Sequence, residues 1–126
     1  MKRFIIGICA LTLLLAGGIG VSTSFSLVHA PTTELLQQAA QAAIQGEQET
    51  ALSFSAQAQQ RWENFWHFTA AFADHAPMDE IDGLFARLPF LAQQQDLSEY
   101  AALCAQLSQM TNALANCHNL RWWTLL

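Results

Sequence analysis

Phe4–Val21 is an uncharged run of eighteen residues in which Thr12 is the one polar side chain, and this run constrains the chain more than any other feature. VSTSFSLVHA extends the uncharged stretch to Ala30, apart from whatever charge His29 takes. About 20 residues of helix cross a hydrocarbon core of ~30 Å. Lys2 and Arg3 precede the run and favour the cytoplasmic side. Two processing routes fit. A cleaved signal peptide could end at Val28-His29-Ala30, but Pro31 would come directly after the cut and the run exceeds a 7–15-residue h-region. An uncleaved signal anchor is the favoured route. Residues 1–30 are then a transmembrane anchor meeting the membrane through residues 4–28, and residues 31–126 form an extracytoplasmic domain. The alternative is a protein secreted after cleavage. With no cysteine directly after the run, lipoprotein processing has no attachment point. Gly17, Gly18 and Gly20 do not make a G-x-x-x-G pair.

The rest of the chain predicts helices. Four of the six glycines lie in the first twenty residues, so only Gly46 and Gly83 interrupt the remainder of the chain, which is too few for a sheet with many tight turns. Alanine and glutamine, both good helix formers, fill the positions between apolar residues. The expected fold is all-α, with the anchor followed by a small antiparallel bundle of three to four helices. Pro31 ends the anchor, and Thr32 or Thr33 caps a helix burying Leu35, Leu36, Ala39, Ala40, Ala43 and Ile44. Gly46 ends that helix or breaks it. A second helix over about 47–74 buries Leu52, Ser55, Ala58 or Gln59, Trp62, Phe65 or Trp66, Thr69, and Phe72 or Ala73. A corner at Asp74–Pro77 leads to a third helix starting with Pro77 in its first turn. It buries Met78, Ile81, Leu84 or Phe85, Leu88 and Leu91, and Pro89 kinks or splits it. Asp96–Glu99 forms a capping box. The last helix repeats Leu97, Tyr100, Cys104, Leu107, Thr111 and Leu114 at heptad spacing and ends near Cys117.

Charge excludes one class of partner. Residues 31–126 hold three arginines against all ten acidic residues, a net of minus seven, which suits neither nucleic acid nor an anionic lipid surface. Cys104 and Cys117 are separated by about 20 Å along a continuous helix. A disulfide needs Cα atoms about 4.4–6.8 Å apart, so buried free thiols are expected.

Large aromatics and titratable groups crowd into 61–88, RWENFWHFTAAFADHAPMDEIDGLFARL. At Trp62, Trp66, His75, Asp79, Ile81, Asp82, Arg87 and Leu88 the chain resembles domain-of-unknown-function family 4363. The resemblance covers nearly the whole chain, including Asn119-Leu120, while Pro89 and the Trp122-Trp123 tail depart from it. It implies a short bacterial protein, mostly of Firmicutes, with an N-terminal hydrophobic helix, a tryptophan pair, a histidine before an acidic-Ile-acidic element and then Arg-Leu. It implies no known activity.

Three kinds of site compete in this stretch. His67, Asp74, His75, Asp79, Glu80 and Asp82 are the candidate metal ligands, since imidazole with carboxylates suits zinc or a similar ion. No H-E-x-x-H spacing supports them, and the competing role is structural: His75 orders the corner and the acids complement a helix dipole. Trp62, Trp66, Phe72, Trp122 and Trp123 are the candidate partner-binding residues, against plain core packing. Arg87 is expected to pair with Glu80 or Glu63. No nucleophile–base pair or phosphate loop is present, so no catalytic residue and no cofactor are assigned. The expected function is a non-enzymatic protein-interaction module of the bacterial envelope, holding a protein partner or a second copy. The alternative is an extracytoplasmic sensor of a metal or small ligand built on His67, His75 and the neighbouring acids.

Overall fold

The computed structural model describes residues 1–69 and 75–123, with side chains placed for residues 1, 4–17, 30–67 and 75–117. Within them are four helices: α1 (Lys2–Ile44), α2 (Gln48–Thr69), α3 (His75–Gln93) and α4 (Leu97–Trp123). Helix α1 packs on α2 and α4, α3 packs on α4, and α2 meets α3 only thinly. The result is an antiparallel all-α bundle with α1 and α3 on one diagonal.

The break expected at Pro31 does not occur. Helix α1 runs through it for 43 residues, about 65 Å at 1.5 Å per residue. A proline inside a helix gives up one backbone hydrogen bond and crowds the preceding turn, at about 3 kcal/mol. Just beyond it, Thr32, Leu36, Ala39, Ala40, Ala42 and Ala43 are buried, and that packing holds the helical path. Thr32 and Thr33 therefore cap nothing. Thr32 is inside the bundle, and the Thr33 hydroxyl lies 3.1 Å from that of Thr111 on α4. Thr111 Oγ1 donates to the Leu107 carbonyl at 3.0 Å, which leaves Thr33 as the donor to Thr111. Ile44, expected in the core, is 73% exposed, and Ala42 is buried instead. Alanines on α1 face Ala51, Ser55 and Ala58 on α2, so two small-residue surfaces approach closely.

Before the bundle, α1 is bare. Phe4, Ile5, Ile6, Ile8, Leu11, Leu13, Leu14 and Leu15 are exposed, on every side of the helix. Thr12 turns its hydroxyl back to the Ile8 carbonyl at 2.9 Å, so its polar group is satisfied within the helix. Among the described residues no helix is long and apolar enough to cross a membrane, the described side chains of this run stopping at Gly17.

Two similar turns close one end of the bundle. At the end of α1, Gly46 N–H bonds the Ala43 carbonyl and Glu47 N–H the Ala42 carbonyl, with Gly46 at φ 79°. This is a Schellman stop. At the end of α3 the same pattern recurs without glycine. Gln95 N–H bonds Ala92, Asp96 N–H bonds Leu91, and Gln95 takes φ 57°. Asp96 then caps α4 by accepting the Glu99 N–H at 3.1 Å. The capping box is only half made, because the Glu99 carboxylate turns to Arg87 at 3.4 Å. The Gln48 side-chain amide donates to the Ala92 carbonyl at 3.2 Å and ties the two turns together.

Three further boundaries differ from expectation. Helix α3 starts at His75, before Pro77, and it runs unbroken through Pro89, which lies on its exposed side while Phe85, Leu88, Leu91 and Ala92 hold its buried side. Helix α4 continues past Cys117 to Trp123, and Cys117 is exposed, not buried.

The two turns give a paired test. Gly46→Ala places a side chain at φ 79° with open space around it, so its cost is backbone strain alone, about 1 kcal/mol. Gln95→Gly relieves the same strain and should raise stability by roughly half that, the freer unfolded chain offsetting the rest. Urea unfolding of both variants reads the effect, and a loss of stability in Gln95→Gly contradicts the assignment.

Candidate functional site

Four of the residues that carry the family resemblance, Trp62, Trp66, His75 and Asp82, join α2 to α3. Trp62 is almost wholly buried, and its indole Nε1–H donates to Asp82 Oδ1 on α3 at 2.5 Å. Its ring lies 5.8 Å from that of Phe65 and 6.4 Å from that of Phe85, stacked on the latter. Four residues on, Trp66 meets His75 edge-on at 5.4 Å between ring centroids. Ile81 and Leu88 are core residues of α3. Spacing explains the arrangement. Trp62 and Trp66 share a face of α2, and His75 and Asp82, two turns apart, share a face of α3. The antiparallel pairing brings Trp62 to Asp82 and Trp66 to His75. These contacts matter because α2 and α3 otherwise touch so little.

Arg87 pairs with neither Glu80 nor Glu63. It reaches Glu99 on α4, with both side chains more than half exposed. An exposed pair of this kind stabilises by roughly 0–1 kcal/mol, so it is a surface link between α3 and α4.

The candidate metal ligands do not gather. His67 and His75 are exposed on different helices, Asp82 holds the Trp62 indole, and Asp79 and Glu80 face outward. Asp74 lies outside the described residues. Among the described residues no group of three or more His, Cys, Asp or Glu side chains is arranged to hold an ion. Of the candidate partner-binding residues, Trp62 has its surface inside the bundle and offers none to a partner. Trp66 is half-buried against the core. Phe72 and the side chains of Trp122 and Trp123 lie outside the described residues.

A second polar pair, not anticipated from the sequence, lies inside the bundle. The Tyr100 hydroxyl on α4 is hydrogen-bonded to Ser55 Oγ on α2, and Ser55 Oγ donates to the Leu52 carbonyl at 3.0 Å. One hydroxyl is the donor to the other, and the Ala51 carbonyl lies 3.5 Å from the Tyr100 hydroxyl as a further acceptor. The signal was present only as a serine on an apolar helical face and a tyrosine at a core position of the next-but-one helix. Burial pushes the Tyr100 phenol up, the Ser55 hydrogen bond opposes this, and nearby Cys104 adds to it. Cys104 has no exposed surface, and burial pushes its thiol from 9.0 up to about 12. These groups are structural, being closed off from any substrate.

Two sets of measurements test these contacts. Asp82→Ala removes the carboxylate that faces a buried indole and should cost about 1–3 kcal/mol, as should the loss of the donor in Trp62→Phe. In the double variant the two losses should be well short of additive, and additivity in a double-mutant cycle contradicts the pair. For the thiols, Cys117 should react with a disulfide reagent at neutral pH while Cys104 reacts only as the bundle opens; equal rates contradict the burial. Because the folded pKa of Cys104 is raised, its contribution to stability is complete below about pH 9 and declines as pH rises towards 12. Cys104→Ala should flatten that alkaline decline.

Searches of curated proteins and of solved structures gave no match. The profile of the family described as Domain of unknown function (DUF4363) matches residues 23–123. The match takes in all of α2 and α3, α4 to its end, and the bundled part of α1, and it leaves out Phe4–Ser22. It contains Trp62, Trp66, His75, Asp82 and the other residues on which the resemblance rests, and it covers well over half of the sequence. The chain belongs to this family of unknown function.

Proposed function

We propose that the protein is a non-enzymatic interaction module of the bacterial cell envelope. In this reading residues 4–28 hold it in the membrane, the N-terminus is cytoplasmic and the bundle is extracytoplasmic. The observation that carries the proposal is the bare apolar length of α1. A helix with apolar side chains on every side suits surroundings that are apolar on every side, and its one described polar group, Thr12, bonds its own backbone. Lys2 and Arg3 fit the cytoplasmic flank. Continuity of α1 through Pro31 supports an anchor that is retained. Cutting after Ala30 would divide a helix just before buried Thr32 and remove residues 23–30, which belong to the family match.

The interaction role is supported by what lies outside. Phe90 on α3 is 65% exposed and Ile44 is similarly bare, so among the described residues of the bundle two large apolar side chains stand out on the surface. A protein partner or a second copy of the chain is the expected occupant. The net negative body suits such a partner and disfavours nucleic acid.

Topology is the direct test. The full-length protein should stay with membranes through alkaline carbonate washing, and protease added outside intact protoplasts should digest the bundle. Release by carbonate, or full protection of the bundle, contradicts the reading. Crosslinking on intact cells should trap a recurrent partner that Phe90→Ser and Ile44→Ser together weaken, while stability stays within about 0.5 kcal/mol of the parent.

A further inference from the structure

The bundle sets how much of α1 is free to cross a membrane. Thr33 on α1 faces Thr111 on α4, and the two helices are antiparallel. Twelve residues farther along α4 is Trp123, and twelve residues back along α1 is Val21. The other end of the bundle agrees. The Gln48 side chain bonds the Ala92 carbonyl and sets the turns at Gly46 and Gln95 at one level. Counting from those turns along α1 and α4 puts Trp123 opposite residue 18, within about one turn of the same place. The family match begins at residue 23, close to this level.

Free helix therefore extends from Phe4 to about Gly20, bounded by Lys2 and Arg3 on one side and by the end of the bundle on the other. Seventeen residues give about 25 Å. The hydrocarbon core is ~30 Å thick, so no length is left over for a stalk. If Lys2 and Arg3 are to reach the cytoplasmic headgroups, the end of the bundle must come down to the outer ones.

We propose that this end of the bundle, at residues 117–123 of α4, is seated in the outer polar layer of the bilayer with no water gap beneath it. The inference rests on the proposed membrane anchoring and adds where the domain stands. Arg121, Trp122 and Trp123 are at the register position that meets the layer, and tryptophan and arginine are residue types that favour it. The partner is the neutral interfacial layer itself. Residues 31–126 are net negative, so anionic lipid should add nothing. The opposite end, with the turns at Gly46 and Gln95 and the exposed Phe90 and Ile44, is then directed away from the membrane.

The native cysteines provide the test. In a Cys9→Ser variant a nitroxide reagent reaches exposed Cys117, while Cys104 is buried. A second variant, Cys9→Ser/Cys117→Ser/Gln94→Cys, carries the label at the far end. Each full-length protein is placed in phosphatidylcholine vesicles, checked by flotation, and measured by collision with oxygen and with a water-soluble nickel chelate. The label at 117 should lie within about 10 Å of the phosphates, six residues from Trp123. It should show more oxygen and less nickel collision than the label at 94, which should behave as in water. Adding phosphatidylglycerol should not deepen it. Protein that floats with both labels equally open to nickel overturns the seating while leaving the anchor intact. Protein that fails to float overturns the anchor and the seating together. A depth that grows with anionic lipid overturns the neutral-layer assignment.

Discussion

Helix α1 changes its surroundings without changing its conformation, and the rest of the structure depends on that. Over its first turns every side is bare and apolar. Past Pro31 the same helix is covered by α2 and α4, with Leu36, Ala39, Ala40 and Ala43 inside. An α-helix is suited to this because its backbone hydrogen bonds are internal, so the environment can change along its length while only the side chains respond. The proline penalty at residue 31 is offset by packing on the bundle side, where small residues let neighbouring helices come close.

The second dependence is the join between α2 and α3. Helix α1 has alanine-rich contacts to α2 and a long contact with α4, but α2 and α3 share little surface. The Trp62 indole hydrogen bond to Asp82 and the Trp66–His75 ring contact close that side. The crowding of aromatic and titratable residues in 61–88 therefore has a structural explanation. A buried indole needs an acceptor, and a carboxylate on the facing helix supplies one. That acid is then occupied, and His67, His75, Asp79 and Glu80 are exposed on two different helices, so the expected gathering around an ion does not form among the described residues.

Periodicity made much of this fold legible in the sequence. Met78, Ile81, Leu88 and Leu91 mark the buried face of α3, and Tyr100, Cys104, Leu107 and Thr111 that of α4, because each face packs on neighbours along its whole length. Gly46 marked its own turn through its need for positive φ. The helix limits at Pro31, Pro89 and Cys117 were not legible. A local breaker signal costs a few kcal/mol, and tertiary packing beside it can exceed that. Gln95 in a left-handed conformation was invisible because glutamine carries no local signal for positive φ. The Trp62–Asp82, Ser55–Tyr100 and Arg87–Glu99 pairs join different helices, so no helical spacing announces them.

The bare and bundled parts of α1 act together only if they are one rigid helix. The most direct test is a pulsed dipolar distance between nitroxides on Cys9 and Cys117, both exposed, in the full-length protein in nanodiscs. A continuous helix places their backbones about 28 Å apart from the helical rise and the spacing of packed helices. One narrow distribution near that value, widened only by the label arms, is the predicted result. A broad distribution, or two populations, would mean that α1 bends between Gly17 and Pro31, and the rod would then be a tether instead of a strut.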